Sequence, residues 1–97
     1  MKLMISQPMK GKSEEQIRSE RERVVDLLTK EGHEVVDTIF AESPEEAQNR
    51  PLWYLAKSLD AMSKLDGVVF IGDWKSARGC RIEHETAVEY GLFTREM

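Results

Sequence analysis

Apolar residues recur along this chain in two alternating patterns, short continuous runs and longer stripes with helical spacing. The first run, Lys2–Ser6, predicts a buried strand that ends before Pro8, which lacks the N–H that a central strand needs. Ser13–Gln16 (SEEQ) fits a capping box, in which serine and glutamine side chains satisfy N–H groups at a helix start. We predict a helix from Ser13 or Glu14 to about Lys30. Its apolar stripe consists of Ile17, Val24, Val25 and Leu28.

The pattern of apolar residues in the middle of the chain predicts a second strand and a second helix. Gly32–Thr38 is short and β-branched, which predicts a strand, with an extension into Ile39 and Phe40 left open. Ala41–Arg50 is polar and acidic and predicts a surface connection. Asn49, two residues before Pro51, marks the start of a helix that ends near Leu65. Its predicted apolar stripe comprises Leu52, Leu55, Ala56, Leu59 and Met62.

The last third of the chain completes an α/β order. Gly67–Ile71 (GVVFI) is apolar throughout, as expected of a central strand covered by helices on both faces. Gly72–Gly79 predicts a loop, Arg81–Tyr90 a third helix closed by Gly91, and Leu92–Thr94 a short last strand. Helix-length connections imply parallel pairing and right-handed crossovers. The predicted fold class is α/β, a three-layer sandwich with a small flavodoxin-like or Rossmann-like parallel sheet of three to four strands and three main helices.

Composition narrows the class of protein. The 97 residues are 40% hydrophobic and 33% charged, which suits one domain spanning residues 1–97. The net charge of −4 argues against a basic face for a nucleic acid polymer or an anionic membrane. No apolar run approaches the roughly 20 residues that span a bilayer, and no signal-peptide pattern is present, so we expect a cytoplasmic protein. The single Cys80 excludes an internal disulfide and a Cys-rich zinc cluster, and the two histidines, His33 and His84, offer no metal-ligand spacing. We expect neither a metal nor another cofactor.

The predicted topology brings two loops to one edge of the sheet. Ligands of open parallel sheets bind beyond the carboxyl ends of the strands, where the strand order reverses. Gln7–Gly11 follows the first strand and Asp73–Gly79 follows the central strand. These two loops define the candidate site.

Glu83 is the candidate catalytic residue. It shares a helix face with Ala87, Tyr90 and Gly91, so we expect it to point inward, in the first turn of the third helix. A carboxylate there gains about 0.3–1 kcal/mol from the helix dipole, and up to about 2 kcal/mol when partly buried, which favours the ionised form. An ionised glutamate suits a nucleophile or a hydroxyl acceptor better than a general acid. The alternative is an ordinary first-turn glutamate that only stabilises its helix.

Cations and an aromatic residue in the two loops each have a binding and a structural interpretation. Lys10, Lys75 and Arg78 would receive a phosphate, helped by backbone N–H groups near Gly79, or they are solvated loop residues. Trp74 would stack a planar base, or it only covers the sheet edge.

Other polar residues near the loops are interpreted structurally at this point. Asp66, directly before the central strand, mainly indicates a turn or cap, and Cys80 indicates packing because no histidine is reliably placed as its base. His33 and His84 carry no functional suggestion of their own.

Three segments together resemble the nucleoside 2-deoxyribosyltransferase family. They are Ser6–Gly11 (SQPMKG), Leu65–Phe70 (LDGVVF) and Gly79–Glu83 (GCRIE), with Ala87 and Gly91 downstream. The resemblance covers nearly the whole chain in the same order and is strongest to short, uncharacterised members that carry a similar GCRIEHE segment. No segment is specific alone, whereas three at matching separations carry the resemblance.

The resemblance implies N-glycosidic chemistry. In that family a glutamate at the position of Glu83 attacks the anomeric carbon of a deoxynucleoside, and a second base or water resolves the glycosyl-enzyme. Related hydrolases act on deoxynucleoside 5′-phosphates, and their phosphate-binding loops correspond to Gln7–Gly11 and Ser76–Gly79. The substrate-binding residues expected on this basis are Gln7, Pro8, Met9, Lys10, Gly11, Ser58, Asp66, Trp74, Ser76, Arg78 and Gly79.

Two departures from the family pattern affect the expected activity. The family has an aspartate eight residues before the position of Asp66, which assists protonation of the leaving base, and this chain has Ser58 there. Asp60 lies roughly 200° around the helix and does not substitute. A missing acid costs about 10²–10⁴ in rate. Family members also continue past the Gly91 region, whereas this chain ends at Met97, so we expect a homo-oligomer in which another subunit covers the sheet edge.

The sequence leaves three functions open. The first is a nucleoside-binding or nucleotide-binding hydrolase or deoxyribosyl transferase that acts through Glu83. The second, favoured by Ser58, is a catalytically weak or inactive module that binds or sequesters a nucleotide on the same scaffold. The third is a phosphoribohydrolase that activates cytokinins, because Gly-x-x-x-Glu also opens a helix there, but the preceding Pro-Gly-Gly of those enzymes is absent from this chain. The expected partner is a small nucleoside or nucleotide, and neither a nucleic acid polymer nor a membrane.

Overall fold

A computed structural model describes residues 1–39 and 42–97 of the protein, and within them a four-stranded sheet packs with three α-helices. All strands are parallel, in the order β2-β1-β3-β4. The strands are β1 (Lys2–Ser6), β2 (Glu34–Val35), β3 (Gly67–Phe70) and β4 (Phe93–Glu96). The helices are α1 (Glu14–Lys30), α2 (Arg50–Met62) and α3 (Arg78–Glu89), and a 3-10 turn covers Trp74–Ser76.

Alternate residues of the strands build a core on each face of the sheet. Leu3 and Ile5 of β1 join Leu28 of α1 on one face. Met4 joins Met62 of α2 and Ala87 of α3 on the other face. The chain therefore has three layers, with α1 on one side and α2 and α3 on the other, and the predicted α/β sandwich is confirmed.

Side-chain caps start the first two helices where the sequence predicts them. The Ser13 hydroxyl accepts from the backbone N–H of Gln16, and the Gln16 side chain accepts from the backbone N–H of Ser13, so the capping box forms. The Asn49 side chain accepts from the backbone N–H of Leu52. Each cap satisfies N–H groups that a helix start would otherwise leave unpaired.

The second strand is shorter than the predicted Gly32–Thr38. Only Glu34 and Val35 pair with β1, although the N–H of residue 36 still donates to the Leu3 carbonyl at 2.8 Å. At the next carbonyl, that of Ile5, the Thr38 hydroxyl donates at 3.5 Å. The ladder ends there because a side chain has replaced the backbone donor. The extension predicted into Phe40, and Ala41 at the start of the surface connection, lie outside the described residues.

The second helix ends at Met62, before the predicted Leu65, and buries fewer apolar residues than predicted. Leu55, Leu59 and Met62 face inward, whereas Leu52 is 57% exposed and Ala56 is exposed as well. Ala56 points about 90° away from the mean direction of these three side chains, since successive residues turn by about 100°. Leu52 lies in the first turn of α2, and none of the described residues buries its side chain.

The third helix starts at Arg78, three residues before the predicted start, because the 3-10 turn shortens the loop. Arg78, Gly79 and Cys80 therefore form its first turn, and Glu83 lies in the second turn, where the helix dipole acts more weakly. Tyr90 follows the helix and is 81% exposed, so it does not share the buried face of Glu83 and Ala87. The last strand, Phe93–Glu96, runs two residues beyond the predicted Leu92–Thr94.

Gly67 is required where β3 meets β4. A Cβ at this position would lie 2.5 Å from the Phe93 carbonyl oxygen and 2.8 Å from the Phe93 Cβ. We expect Gly67→Ala to lower the free energy of unfolding by about 1–3 kcal/mol, because the paired backbones must move apart. Gly79→Ala is the matched control, since a Cβ at Gly79 meets nothing within 4 Å and alanine favours a helix. Urea unfolding measures both variants, and an equal loss for both would contradict the close-approach argument.

No helix in the described parts of the chain is long and apolar enough to cross a membrane.

Candidate active site

The two predicted loops meet at one edge of the sheet, beyond the carboxyl ends of β1 and β3. The strand order reverses between these two strands, since β2 lies beside β1 on one side and β3 beside it on the other. The backbone N–H of Ile71 donates to the Ser6 carbonyl at 3.1 Å, so the loops leave the sheet side by side. This edge is where open parallel sheets bind ligands.

One carboxyl group at this edge is surrounded by residues from three elements. Glu83 of α3 is 8% exposed, and its Oε1 accepts from the Ser6 hydroxyl at 3.1 Å. Ser6 is the last residue of β1 and points to the same face of the sheet as Met4. Ser58 of α2 is also close enough for its hydroxyl to act on the Glu83 carboxyl. Ser58, the residue at which the sequence analysis expects a missing acid, therefore lies beside the candidate catalytic residue.

Burial controls the ionisation of Glu83. Loss of hydration raises the pKa of Glu83 from its ordinary value of 4.5 to about 7, and Ser6, the positive charge of Arg21 and Ser58 oppose that rise. The expectation that the helix dipole keeps this carboxyl ionised is therefore wrong. The physical reason is that Glu83 lies in the second turn, where the dipole is weak and the packing of α2, α3 and β1 excludes water. A carboxyl with this pKa exchanges its proton near neutral pH, as acid–base and nucleophilic groups in active sites do.

The thiol of Cys80 lies next to this carboxyl and is buried in the core, with 4% exposure. Burial raises the pKa of the thiol, and the negative charge of Glu83 raises it further, although a hydrogen bond with Ser6 opposes both. A thiol with a raised pKa is a poor nucleophile. The structure agrees with the packing interpretation of Cys80.

A buried arginine near the same edge was missed by the sequence analysis. Arg21 of α1 is 7% exposed, its Nε donates to Gln7 Oε1 at 3.1 Å and its Nη1 donates to Thr38 Oγ1 at 3.2 Å. The signal was present in the sequence, because Arg21 falls between Ile17 and Leu28 at helical spacing, on the apolar stripe of α1. A charged residue on an apolar stripe marks a buried charge.

Gln7 connects β1 to α1 and so holds the first loop in place. Its Nε2 donates to the Ile17 carbonyl at 2.9 Å and to Glu20 Oε2 at 3.2 Å. Glu20 also pairs with Lys12 at 2.9 Å, and the hydrogen bonds from Lys12 and Gln7 lower the pKa of its carboxyl. Gln7 is 6% exposed, and both ends of its amide have partners within the protein. This side chain therefore positions the loop and Arg21.

The other predicted residues of the first loop lie at the expected edge. Pro8 is buried, whereas Met9, Lys10 and Gly11 are exposed in a turn that the N–H of Lys12 closes on the Met9 carbonyl at 3.2 Å. Gly11 has a φ of 79°, which a residue with a side chain rarely adopts.

Residues of the second loop reach the same edge on the α3 side. Ser76 is exposed and donates its hydroxyl to the Asp73 carbonyl at 2.7 Å, so this hydroxyl closes its own turn. Arg78 is exposed at the start of α3, and Gly79 follows it in the first turn. The Nζ of Lys75 lies 5.7 Å from the ring centre of Trp74. The three predicted cations, Lys10, Lys75 and Arg78, are thus all exposed side chains at the carboxyl edge.

Two predicted binding residues are placed elsewhere or used otherwise. Asp66 lies at the opposite edge of the sheet, where its Oδ2 accepts from the backbone N–H of Lys2 at 2.7 Å, because it precedes β3. It is a cap, remote from Glu83. Trp74 is 7% exposed, donates its Nε1–H to Glu96 at 2.9 Å and stacks on His84 with 4.5 Å between ring centres. Its indole covers the sheet edge, so the expectation of a free face for a base is wrong.

Ser6 offers a direct test of this geometry. Ser6→Ala removes the hydroxyl that donates to Glu83 and leaves almost the same volume in the core. We expect the pKa of Glu83 to rise further, since the ionised form loses a hydrogen bond that favours it. A ¹³C NMR titration of the Glu83 carboxyl measures this shift. Ser76→Ala, whose hydroxyl bonds only to the Asp73 carbonyl among the described residues, is the control, and an unchanged pKa in Ser6→Ala would contradict the assigned bond.

Comparison with known proteins places the chain in a family. The model of the family described as Domain of unknown function (DUF4406) matches residues 1–94. The chain belongs to this family. No curated protein and no solved structure matches the DUF4406 chain. The family description states no activity, so the residues of the site are what bear on the function of this DUF4406 protein.

Among the residues that the structure describes, no group of three His, Cys, Asp or Glu side chains of the DUF4406 chain is arranged to hold a metal ion.

Proposed function

We propose that the chain binds a nucleoside or nucleotide at the carboxyl ends of β1 and β3 and cleaves its N-glycosidic bond through Glu83. The observation that carries this proposal is the buried Glu83 carboxyl, with a pKa of about 7, held by Ser6 at the ligand-binding edge of the sheet. The resemblance to the nucleoside 2-deoxyribosyltransferase family supports the choice of substrate. The reaction is hydrolysis if water accepts the sugar and deoxyribosyl transfer if a second base does.

The proposed reaction is a double displacement. The ionised Glu83 attacks the anomeric carbon, a C–O ester bond forms, and the C–N bond breaks with its electron pair on the base nitrogen. Water or a second base then attacks the same carbon and releases the Glu83 carboxylate. Ser6 orients the carboxyl in both steps and stabilises the charge that returns to it when the ester breaks.

Protonation of the leaving base is the weak point of this site. Ser58 lies beside Glu83, where the related enzymes have an aspartate, and an aliphatic hydroxyl is a poor proton donor. The base nitrogen must therefore take its proton from water. We expect slow turnover, with the first displacement limiting the rate.

Free base released from deoxynucleosides and their 5′-monophosphates tests the proposal directly. We expect kcat/KM to rise as the pH increases through about 7 and then to level off, because the nucleophile must lose the proton that its raised pKa retains. Chromatography of the reaction mixture measures the free base at each pH. No release after a day at high enzyme concentration would reject the enzyme, and a rate that falls as the pH rises through 7 would reject Glu83 as the nucleophile.

Ser58 favours a second candidate, a module that binds a nucleotide without cleaving it. A ligand that binds only the folded protein raises the melting temperature by mass action. Such a module would show a thermal shift with at least one nucleotide and no release of base. If no nucleoside or nucleotide of a broad panel moves the melting curve, the binding module is rejected.

The proposal also includes a homo-oligomer and a cytoplasmic location. β4 is an edge strand of the sheet, and Phe93 on it is 39% exposed. An unpaired strand edge is a surface that a second copy can cover. Sedimentation velocity at several protein concentrations tests the first expectation, and fractionation of the source cells tests the second.

A further inference from the structure

Arg21 carries a buried positive charge whose nearest acceptors are neutral. Its Nε and Nη1 donate to the side chains of Gln7 and Thr38, and neither acceptor bears a charge. The ion pairs found among the described residues are Lys12–Glu20, Lys64–Asp60 and Arg95–Glu31. Arg21 takes part in none of them although it is 7% exposed.

A buried guanidinium without a counter-charge is costly, because burial removes its hydration and hydrogen bonds to neutral acceptors replace only part of the lost stabilisation. Burial lowers the pKa of Arg21, and the charges of Asp37 and Glu83 oppose this from a distance beyond ion-pair contact. Buried charges in proteins are usually paired or bind an ion. The described residues supply hydrogen bonds to Arg21 but no adjacent anion.

The position of Arg21 directs this charge toward the candidate site. Side chains on an α-helix lean toward its N-terminus, and the N-terminus of α1 lies at the carboxyl edge of the parallel sheet. Both partners of Arg21 lie at this edge, since Gln7 follows β1 and Thr38 follows β2. The Glu83 carboxyl is close enough for the charge of Arg21 to lower its pKa.

The guanidinium of Arg21 also has N–H groups that its bonds to Gln7 and Thr38 do not use. It carries five N–H groups, and the bonds to Gln7 and Thr38 use two of them. The remaining donors lie on the two terminal nitrogens, the arrangement that binds carboxylate and phosphate with paired hydrogen bonds. Gln7 is fixed by α1 and Thr38 contacts the Ile5 carbonyl, so the guanidinium is held in place before any ligand arrives.

We infer that Arg21, held by Gln7 and Thr38, binds an oxyanion, a phosphate or carboxylate group, at the edge of the sheet that carries Glu83. The inference rests on the proposed function only in that the oxyanion belongs to the ligand of the same site. It differs from the sequence-based expectation, which gave an anion to Lys10, Lys75 and Arg78. Those three side chains are exposed and hydrated, whereas an ion pair with Arg21 forms away from water and is weakened less by salt.

Binding of simple anions tests the inference. Sodium phosphate and sodium acetate are titrated separately into the full chain at constant ionic strength held with chloride, and calorimetry and the melting temperature are followed. We expect at least one of the two anions to bind, and Arg21→Gln to weaken that binding by about tenfold or more, since charged hydrogen bonds are lost. Arg18→Gln is the matched control, because Arg18 is an exposed arginine on the same helix. Equal affinities of both variants and the parent would overturn the inference.

A second measurement keeps the test decisive if Arg21→Gln fails to fold. In the parent protein, NMR resonances of the Arg21 Nε–H and the Gln7 side-chain amide are followed during the same titrations. Saturable shifts of these resonances support the inference, and no shift with either anion overturns it. Base release is measured in parallel with uncharged deoxynucleosides. Release from these substrates without anion binding leaves the proposed function standing and overturns the inference. Anion binding without release from either these substrates or their 5′-monophosphates supports the inference and rejects the reaction.

Discussion

Glu83→Gln is expected to abolish base release and, above pH 7, to unfold less readily than the parent protein. The amide has nearly the shape of the carboxyl, so the core around Ser6 and Ser58 should be preserved. It cannot attack the anomeric carbon as a carboxylate does. We expect base release to fall by roughly 10⁴-fold or more, the scale on which removal of an essential group from a catalytic unit acts. Chromatographic measurement of free base under the conditions of the parent assay gives this number.

The stability of the same variant follows from the raised pKa. Between the ordinary value of 4.5 and the folded value of about 7, the folded protein holds a proton that the unfolded chain has released. The contribution of Glu83 to stability is therefore fully present below about pH 4.5 and is lost as the pH rises through 7. The loss is about 3 kcal/mol, since each pKa unit corresponds to about 1.4 kcal/mol. Glutamine does not titrate, so between pH 4.5 and pH 8 the unfolding free energy of the variant should gain about that much on the parent.

Glu85→Gln is the matched control for both measurements. Glu85 lies two residues along the same helix and is exposed, so its replacement should leave base release and the pH dependence of stability nearly unchanged. Urea unfolding at pH 4.5, 6 and 8 compares the three proteins. A difference between Glu83→Gln and the parent that stays constant with pH would contradict the raised pKa. A difference that grows as expected, in a parent that releases no base, would support a buried carboxyl in a binding module.

The elements of the fold could be predicted where the signal is local. β1 and the start of α1 depend on a short apolar run, a proline and a capping box, which act over a few residues. The end of β2 depends on Thr38, whose hydroxyl reaches the Ile5 carbonyl through a contact with a distant part of the chain. The start of α3 depends on the 3-10 turn that precedes it. Boundaries set by tertiary contacts are not visible in local periodicity.

In the candidate site too, some features could be predicted from local sequence signals and others depend on tertiary contacts. The rule that ligands bind at the carboxyl ends of parallel strands correctly predicts that the Gln7 and Trp74 loops share one edge of the sheet. Helical spacing correctly predicts that Glu83 points inward. The pKa of Glu83 was predicted in the wrong direction because burial depends on how α2 and β1 close over it. Arg21 was missed because only the apolar residues of the α1 stripe were considered, and the arginine that lies among them at the same spacing was not. Of the two interpretations left open for Trp74, base stacking fails because the buried indole stacks on His84 and donates its Nε1–H to Glu96.

Ser58→Asp is expected to raise base release by about 10²–10⁴-fold, because a carboxyl group facing Glu83 restores a general acid for the leaving base. Two carboxyl groups in one buried site do not both ionise easily, so one keeps its proton while the other is ionised. The protonated carboxyl can then donate a proton to the nitrogen of the leaving base, while the ionised one attacks the anomeric carbon. The pH dependence of kcat/KM should then change from a rise and plateau to a bell shape.

Ser58→Asn separates proton donation from the change of shape at this position. Asparagine has nearly the volume of aspartate and can form hydrogen bonds, but it has no acidic proton to give to the base. We expect Ser58→Asn to keep the slow rate and the plateau of the parent. Equal rates for the aspartate and asparagine variants would show that residue 58 does not reach the leaving base. A gain confined to Ser58→Asp, starting from a parent with barely measurable release, would show that the lack of a general acid is what limits base release at this site.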